Sequence, residues 1–206
     1  MNTILRAGLM LTTTLGLISL PAAGQNSSGG APAPTSVSDR FDVAVNFTYK
    51  VAKIASTTNR FVLPGGSLDA AWNLSGKASG LSLVVDLNGE SKSNIEPGVN
   101  LTQFSVLGGA RYTFHLAKSN PHALDLYGQF LGGGDFASNS LFPGPSSATS
   151  SANSGALQAG GGANIRLTHC IALRLFEADF ITTHLPNSTN QRQYDVRFSN
   201  GVVFRF

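Results

Sequence analysis

From Phe41 to Phe206 the chain alternates between apolar and polar residues in eight successive stretches. Such a period of two puts one class of side chain on each face of an extended strand. The last stretch shows it most cleanly. Tyr194, Val196, Phe198, Asn200, Val202, Phe204 and Phe206 share one face, and Asp195, Arg197, Ser199, Gly201, Val203 and Arg205 the other.

The earlier stretches follow the same rule. Phe41, Val43, Val45, Phe47 and Tyr49 oppose Asp42, Ala44, Asn46, Thr48 and Lys50; Leu68, Ala70, Trp72 and Leu74 oppose Asp69, Ala71 and Asn73. Leu81 to Glu90, Gln103 to Phe114, Leu124 to Gly134, Leu157 to Leu167 and Ile171 to Thr183 supply the rest, with Asp86, Arg111 and Arg166 on polar walls. Strands of roughly 10 residues have the length that a tilted strand needs to cross a bilayer.

The connections alternate in length. Val51 to Ser67 and Phe136 to Ser154 read as long loops, Lys92 to Asn100 and Leu185 to Gln193 as intermediate ones on the same side. Ser75 to Gly80, Ala117 to Ala123 and Thr168 to Cys170 read as short turns on the other. Short turns at one end and long loops at the other are the asymmetry of barrels inserted from the periplasm, with the long loops outside the cell.

Ahead of the strands, the basic Met1 to Arg6, the apolar Ala7 to Leu20 and the small residues Pro21 to Gly24 have the three-part layout of a secretory signal peptide. The expected division is a signal peptide over 1–24, a Gly/Pro/Ala/Ser-rich linker over 25–38 and a barrel over 39–206. No other run approaches the ~20 apolar residues of a spanning helix, so insertion of the mature chain must be as strands.

Charge narrows the reading further. Lys and Arg number 14 against 11 Asp and Glu, and losing Arg6 with the leader leaves a surplus of two, which argues against nucleic acid as a partner. Only 12% of residues are charged, about half the ~25% of soluble domains. A soluble barrel would need a better-charged exterior than this polar wall, whose sparse charges among Gly, Ser, Asn and Ala suit a narrow lumen. The apolar wall, with Phe41, Trp72, Tyr112, Phe114, Phe204 and Phe206 near strand ends, suits lipid flanked by aromatic girdles.

The seventh stretch strains the pattern. Glu177 and Asp179 share one parity and Arg174 the other. With the acids inside, a regular strand turns Arg174 to lipid near the periplasmic turn, where it would snorkel; a β-bulge between Arg174 and Glu177 would bring all three inside. The regular strand is the simpler expectation. The register also predicts Arg197 opposite Asp179 or Glu177, and Arg205 meeting Asp42 where the last strand closes on the first. These ionic groups read as structural partners, because charges in a narrow lumen must pair.

The glycine-flanked Gly108-Gly109-Ala110-Arg111-Tyr112-Thr113-Phe114, the run Gly160 to Arg166 and the close Phe198 to Phe206 together resemble the small bacterial outer-membrane β-barrel family that includes the membrane domain of outer membrane protein A and its short relatives. The resemblance covers Asp39 to Phe206. It implies an all-β fold, an eight-stranded antiparallel up-and-down transmembrane β-barrel in the bacterial outer membrane, reached through the periplasm. It implies further that Phe206, Phe204 and Val202 form the signal read by the outer-membrane assembly machinery, with periplasmic chaperones and outer-membrane lipid and lipopolysaccharide as further partners. The peptidoglycan-binding domain of the long relatives is not expected.

A lumen filled by side chains and long external loops point to a structural or surface-interaction barrel with an extracellular partner. The alternatives are a narrow small-solute channel and a lipid A-modifying enzyme. For the enzyme, His115, His122 and His169 fall at periplasmic ends, and His184 alone lies outside, without a Ser at hydrolase spacing. No cofactor or metal motif is present, and the lone Cys170 reads as a small turn residue.

Overall fold

The computed structural model describes residues 40–53, 60–74, 80–96, 99–116, 123–142, 148–186 and 192–206. The expected signal peptide and linker lie outside the described residues. Eight strands follow one another: β1 (Phe41–Lys53), β2 (Arg60–Asn73), β3 (Leu81–Glu96), β4 (Val99–Leu116), β5 (Leu124–Phe142), β6 (Thr149–Arg166), β7 (Ile171–Thr183) and β8 (Gln193–Arg205). Each pairs antiparallel with its neighbour in sequence, and β8 returns to β1 to close the barrel. Closure satisfies every ladder without an edge, as hydrocarbon requires. Phe206 completes the seam: its carbonyl accepts from Arg40 N at 2.7 Å and its own N–H donates to Phe41 O at 2.8 Å.

The two walls sort by polarity as the alternation requires. Val45, Phe47, Leu83, Val85, Phe130, Leu157, Phe180 and Phe198 are exposed on the outside, while Asp69, Asp86, Arg111, Glu177, Asp179 and Arg197 are buried within. The same inversion of a soluble core puts Phe41 beside Trp72 in the register, their rings stacked with centroids 6.3 Å apart at the end of the barrel carrying the short turns. This is the aromatic girdle expected there.

Two expectations are corrected. The segments read as long loops are in large part strand. Of 51–67 only 54–59 lie outside β1 and β2, and of 136–154 only 143–148 lie outside β5 and β6. The strands of β4, β5 and β6 run 18, 19 and 18 residues, well beyond the 9–11 that a bilayer needs. Beyond the membrane the outward face carries Ser, Thr and Asn, so apolar alternation stops although the hydrogen-bond ladder continues. Asn94 and Asn139 take positive φ of 55° and 63° where these ladders shift register, a conformation Asn tolerates better than most residues.

The second correction concerns Arg174. It is 1% exposed and points into the lumen, and the expected snorkelling side chain is not seen. On β6, Ala163 and Asn164 pair with Phe176 and Arg174, so Leu175 has no partner and forms a β-bulge. Against β8 the same extra residue falls between the pairs Arg174–Gly201 and Glu177–Ser199. Leu175 and Phe176 therefore both face outward, 46% and 56% exposed. One extra residue costs a local kink; a guanidinium without counter-ions on the lipid wall would forfeit two carboxylate partners. The second penalty is larger.

Deleting Leu175 should leave Arg174, Phe176 and Glu177 in plain in-out-in alternation. The shortened chain is expected to fold, retaining heat-modifiable migration on gels and a urea unfolding midpoint, reported by Trp72, close to that of the unaltered chain. Loss of the folded form would show that the bulge does more than correct the parity.

Candidate functional site

The polar interior is a stack of ionic layers that begins at the short-turn end. There the Asp125 carboxylate receives His115 Nδ1 at 2.7 Å and Arg205 Nη2 at 2.8 Å, with Arg166 Nη2 at 3.8 Å. Arg205 lies opposite Asp42 in the register, while its guanidinium reaches across to β5 for this pair. An arginine long enough to span part of a narrow lumen is free to choose a partner on a non-adjacent strand.

The next layer holds Asp69 between two guanidiniums. Arg111 Nη1 lies 3.3 Å from Asp69 Oδ1, and Arg174 Nη1 binds Asp69 Oδ2. Arg174 also reaches Glu177 Oε2 at 2.9 Å, to which Tyr127 donates its hydroxyl. Arg111 donates twice to Gln129 Oε1, at 3.0 and 2.7 Å, and its guanidinium lies 4.6 Å above the Tyr127 ring. Charge-assisted bonds and a cation–π face thus surround both arginines. Gln129 passes its amide on to Asp179 Oδ1 at 3.1 Å, linking this layer to the one above.

Arg197 occupies that layer. Its Nη2 donates to Asp86 and Asp179, each at 3.1 Å, and its Nη1 lies 3.9 Å from Glu90. Asp179 is its cross-strand partner, whereas Asp86 lies 111 residues away in sequence. Above it, Lys50 Nζ donates to Gln103 Oε1 at 3.0 Å and sits 3.8 Å from Asp195 and 4.0 Å from Glu90. Phe142, Leu185 and Ala137 pack together over this end with Leu101 and Ala152 against them. Gln193 holds Leu185 there, accepting from its N–H at 3.1 Å and donating to its carbonyl at 3.0 Å.

Glycines make room for these side chains. A Cβ at Gly162 would lie 2.8 Å from the Tyr127 hydroxyl and collide with the Phe176 carbonyl, so the close approach of β6 to the Tyr127–Glu177 contact depends on glycine there.

All eight residues expected in the polar network lie on the inner wall's parity. Asp86, Arg111, Arg166, Glu177, Asp179, Arg197 and Arg205 have the ion pairs named above, and Asp42 faces Arg205 in the register. Lys50, Asp69, Glu90, Asp125, Tyr127, Arg174 and Asp195 join them in the stack. Polar parity marks each except Arg174, and the register pairs Asp125 with His115, but Asp69 meets Arg111 and Arg174, Tyr127 meets Glu177 and Lys50 meets Gln103 across non-adjacent strands, where register says nothing. Phe206, Phe204 and Val202 all face outward. Among the described residues no group of His, Cys, Asp and Glu is arranged to hold a metal ion. His184 lies on the external side with its backbone N–H on Ser154 Oγ at 3.3 Å, and Cys170 is exposed in the β6–β7 turn.

A closed barrel of eight antiparallel strands, apolar outside and ion-paired within, is a transmembrane β-barrel of the small outer-membrane class. Solved structures agree. The chain matches the crystal structure of Neisserial surface protein A (NspA) with a TM-score of 0.58 and 16% identity over 81% of this chain and 97% of that one. It matches Ail, the attachment invasion locus protein of Yersinia pestis in complex with the heparin analogue sucrose octasulfate, with a TM-score of 0.53 and 13% identity over 81% and 97%. At such identities the likeness is one of fold. No protein-family model matches the chain, and no curated protein matches it in sequence. The fold and its lipid-facing wall make the chain a bacterial outer-membrane protein.

Proposed function

We propose that this is a closed structural and surface-interaction barrel, whose interior stabilises the wall and whose projecting hairpins meet partners outside the cell. The observation that carries the reading is the stacking of the Asp125, Asp69, Arg197 and Lys50 layers beneath the Phe142–Leu185 cap. Each layer spans between non-adjacent strands, and buried ion pairs of this kind hold their geometry because breaking one strands a charge. In planar bilayers the full chain is expected to give no unitary conductance. Steady openings would instead establish the narrow channel.

The extended β5–β6 hairpin is the surface offered to a partner. Shortening it within 138–151 is expected to reduce cell adhesion or serum resistance while leaving envelope permeability unchanged; unchanged adhesion and serum resistance would count against the surface role. Lipid A modification has less support, since His184 meets Ser154 through its backbone rather than its ring. Retained lipid A remodelling in a His184→Ala strain accords with a non-enzymatic barrel. Partners in assembly are the outer-membrane machinery and periplasmic chaperones, addressed through Phe206, Phe204 and Val202.

A further inference from the structure

The outer wall of β4, β5 and β6 carries a groove of about 450 Å³ whose lining changes with depth. The register arranges it in rows. Thr102, Ser138 and Ser151 form the upper row of its lining and Phe104, Phe136 and Asn153 the lower, while Val106, Gly134 and Gly155 continue the outer wall just below it. Ser91 and Asn139 extend the hydroxyl row, lying 3.1 and 3.3 Å from Thr102 Oγ1. Phe104 and Phe136 are 46% and 49% exposed.

Each row has a physical role. Gly134 has no Cβ, and one there would sit 3.4 Å from the Phe136 ring, which lies down along the strand over it. A Cβ at Gly155 would meet nothing within 4 Å, so the wall just below the aromatics is bare of side chain there. Aromatic faces at the depth of the membrane interface present an apolar body beside polar groups. The hydroxyl and amide row above can both donate and accept. Among the described residues no charged side chain lines the groove, so a phosphate would find no counter-ion there.

We propose that this groove seats an outer-leaflet glycolipid with an uncharged saccharide headgroup. The sugar face lies against Phe104 and Phe136, its hydroxyls meet Thr102, Ser138 and Ser151, and an acyl chain descends over Gly134 and Gly155. Continuity with the lipid-facing wall selects a lipid over a soluble ligand, and the absence of charge selects a neutral headgroup. The inference rests on the orientation of this wall and not on closure of the lumen. A conducting barrel could still bind lipid here, so bilayer conductance and lipid binding fail separately.

The test is native mass spectrometry of the full chain released from nanodiscs that hold equal amounts of dihexosyl diacylglycerol and phosphatidylglycerol. The barrel should retain the glycolipid about tenfold over the phospholipid, the scale expected from one or two hydrogen bonds gained. Gly155→Leu, whose Cβ meets nothing within 4 Å and whose side chain covers the bare wall below the groove, and the pair Ser138→Ala with Ser151→Ala should each bring retention to parity. Ala70→Leu, on the outer wall of β2, should leave the preference intact. Gel migration checks that each variant is folded, and the serine pair removes no wall packing should the leucine variant misfold. Equal retention of both lipids by the unaltered chain would overturn the proposal. So would a preference that survives both groove variants, displacement of the lipid by free maltose, or release as dimers joined across this face.

Discussion

Replacing Arg174 with methionine should destabilise the barrel by about 3–5 kcal/mol, the cost of leaving buried charge without its partner. Arg174 is sealed from solvent and serves two carboxylates at once, Asp69 and Glu177. Arg111 would still hold Asp69 at 3.3 Å, and Tyr127 would still donate to Glu177, so neither acid is wholly abandoned. What is lost is the only cation within ion-pair distance of Glu177 among the described residues. Trp72, the single tryptophan of the chain, reports urea unfolding in detergent micelles from a position remote in sequence from the change.

A second substitution separates charge from packing. Adding Glu177→Gln to Arg174→Met removes the stranded carboxylate and should recover a sizeable part of the loss, as coupled sites do. If the double variant is as unstable as the single one, lost packing around the guanidinium stem is the cause. If Arg174→Met alone costs under about 1 kcal/mol, the side chain behaves as a lipid-facing residue near the interface, and the bulge at Leu175 is wrong.

Replacement of Phe206 by alanine should cut the amount of barrel in the outer membrane several-fold while leaving refolding in micelles unchanged. The ring points outward and is 62% exposed, touching little of the barrel itself. The bonds that Phe206 makes to Arg40 and Phe41 are main-chain bonds that alanine keeps. A role in recognition and a role in closing the seam therefore predict different results. Parallel loss in cells and in micelles would mean that the ring closes the seam. Unchanged levels in both would remove the assembly signal from this residue. Phe204 and Val202 share the outward face and offer the same comparison.

How much of this is legible in the amino-acid sequence depends on whether the deciding interaction is local. The eight strands, their two faces and the inward turn of Arg111, Glu177, Asp179 and Arg197 follow from period two, because a strand displays its own pleat. The Asp179–Arg197 contact followed as well, since hairpin neighbours share a register. Where β1 to β6 end on the long-loop side is not legible, because alternation of apolar and polar residues stops at the membrane surface and backbone pairing does not. The inward turn of Arg174 is hidden for a related reason. Parity counts residues as though each strand were regular, and the extra residue at Leu175 shifts the count by one.

The amino-acid sequence by itself determined an all-β transmembrane barrel with lipid on its apolar wall. That outcome needs only side-chain alternation, strand length and the requirement that backbone groups be satisfied in hydrocarbon. Tertiary structure alone decided which charges meet across the lumen. Arg205 reaches Asp125, Arg197 reaches Asp86, and Arg174 turns inward through a bulge to meet Asp69, although 80, 111 and 105 residues separate these partners. Such pairs depend on how the closed barrel brings opposite walls within one arginine's length, and no periodicity along the chain encodes that distance.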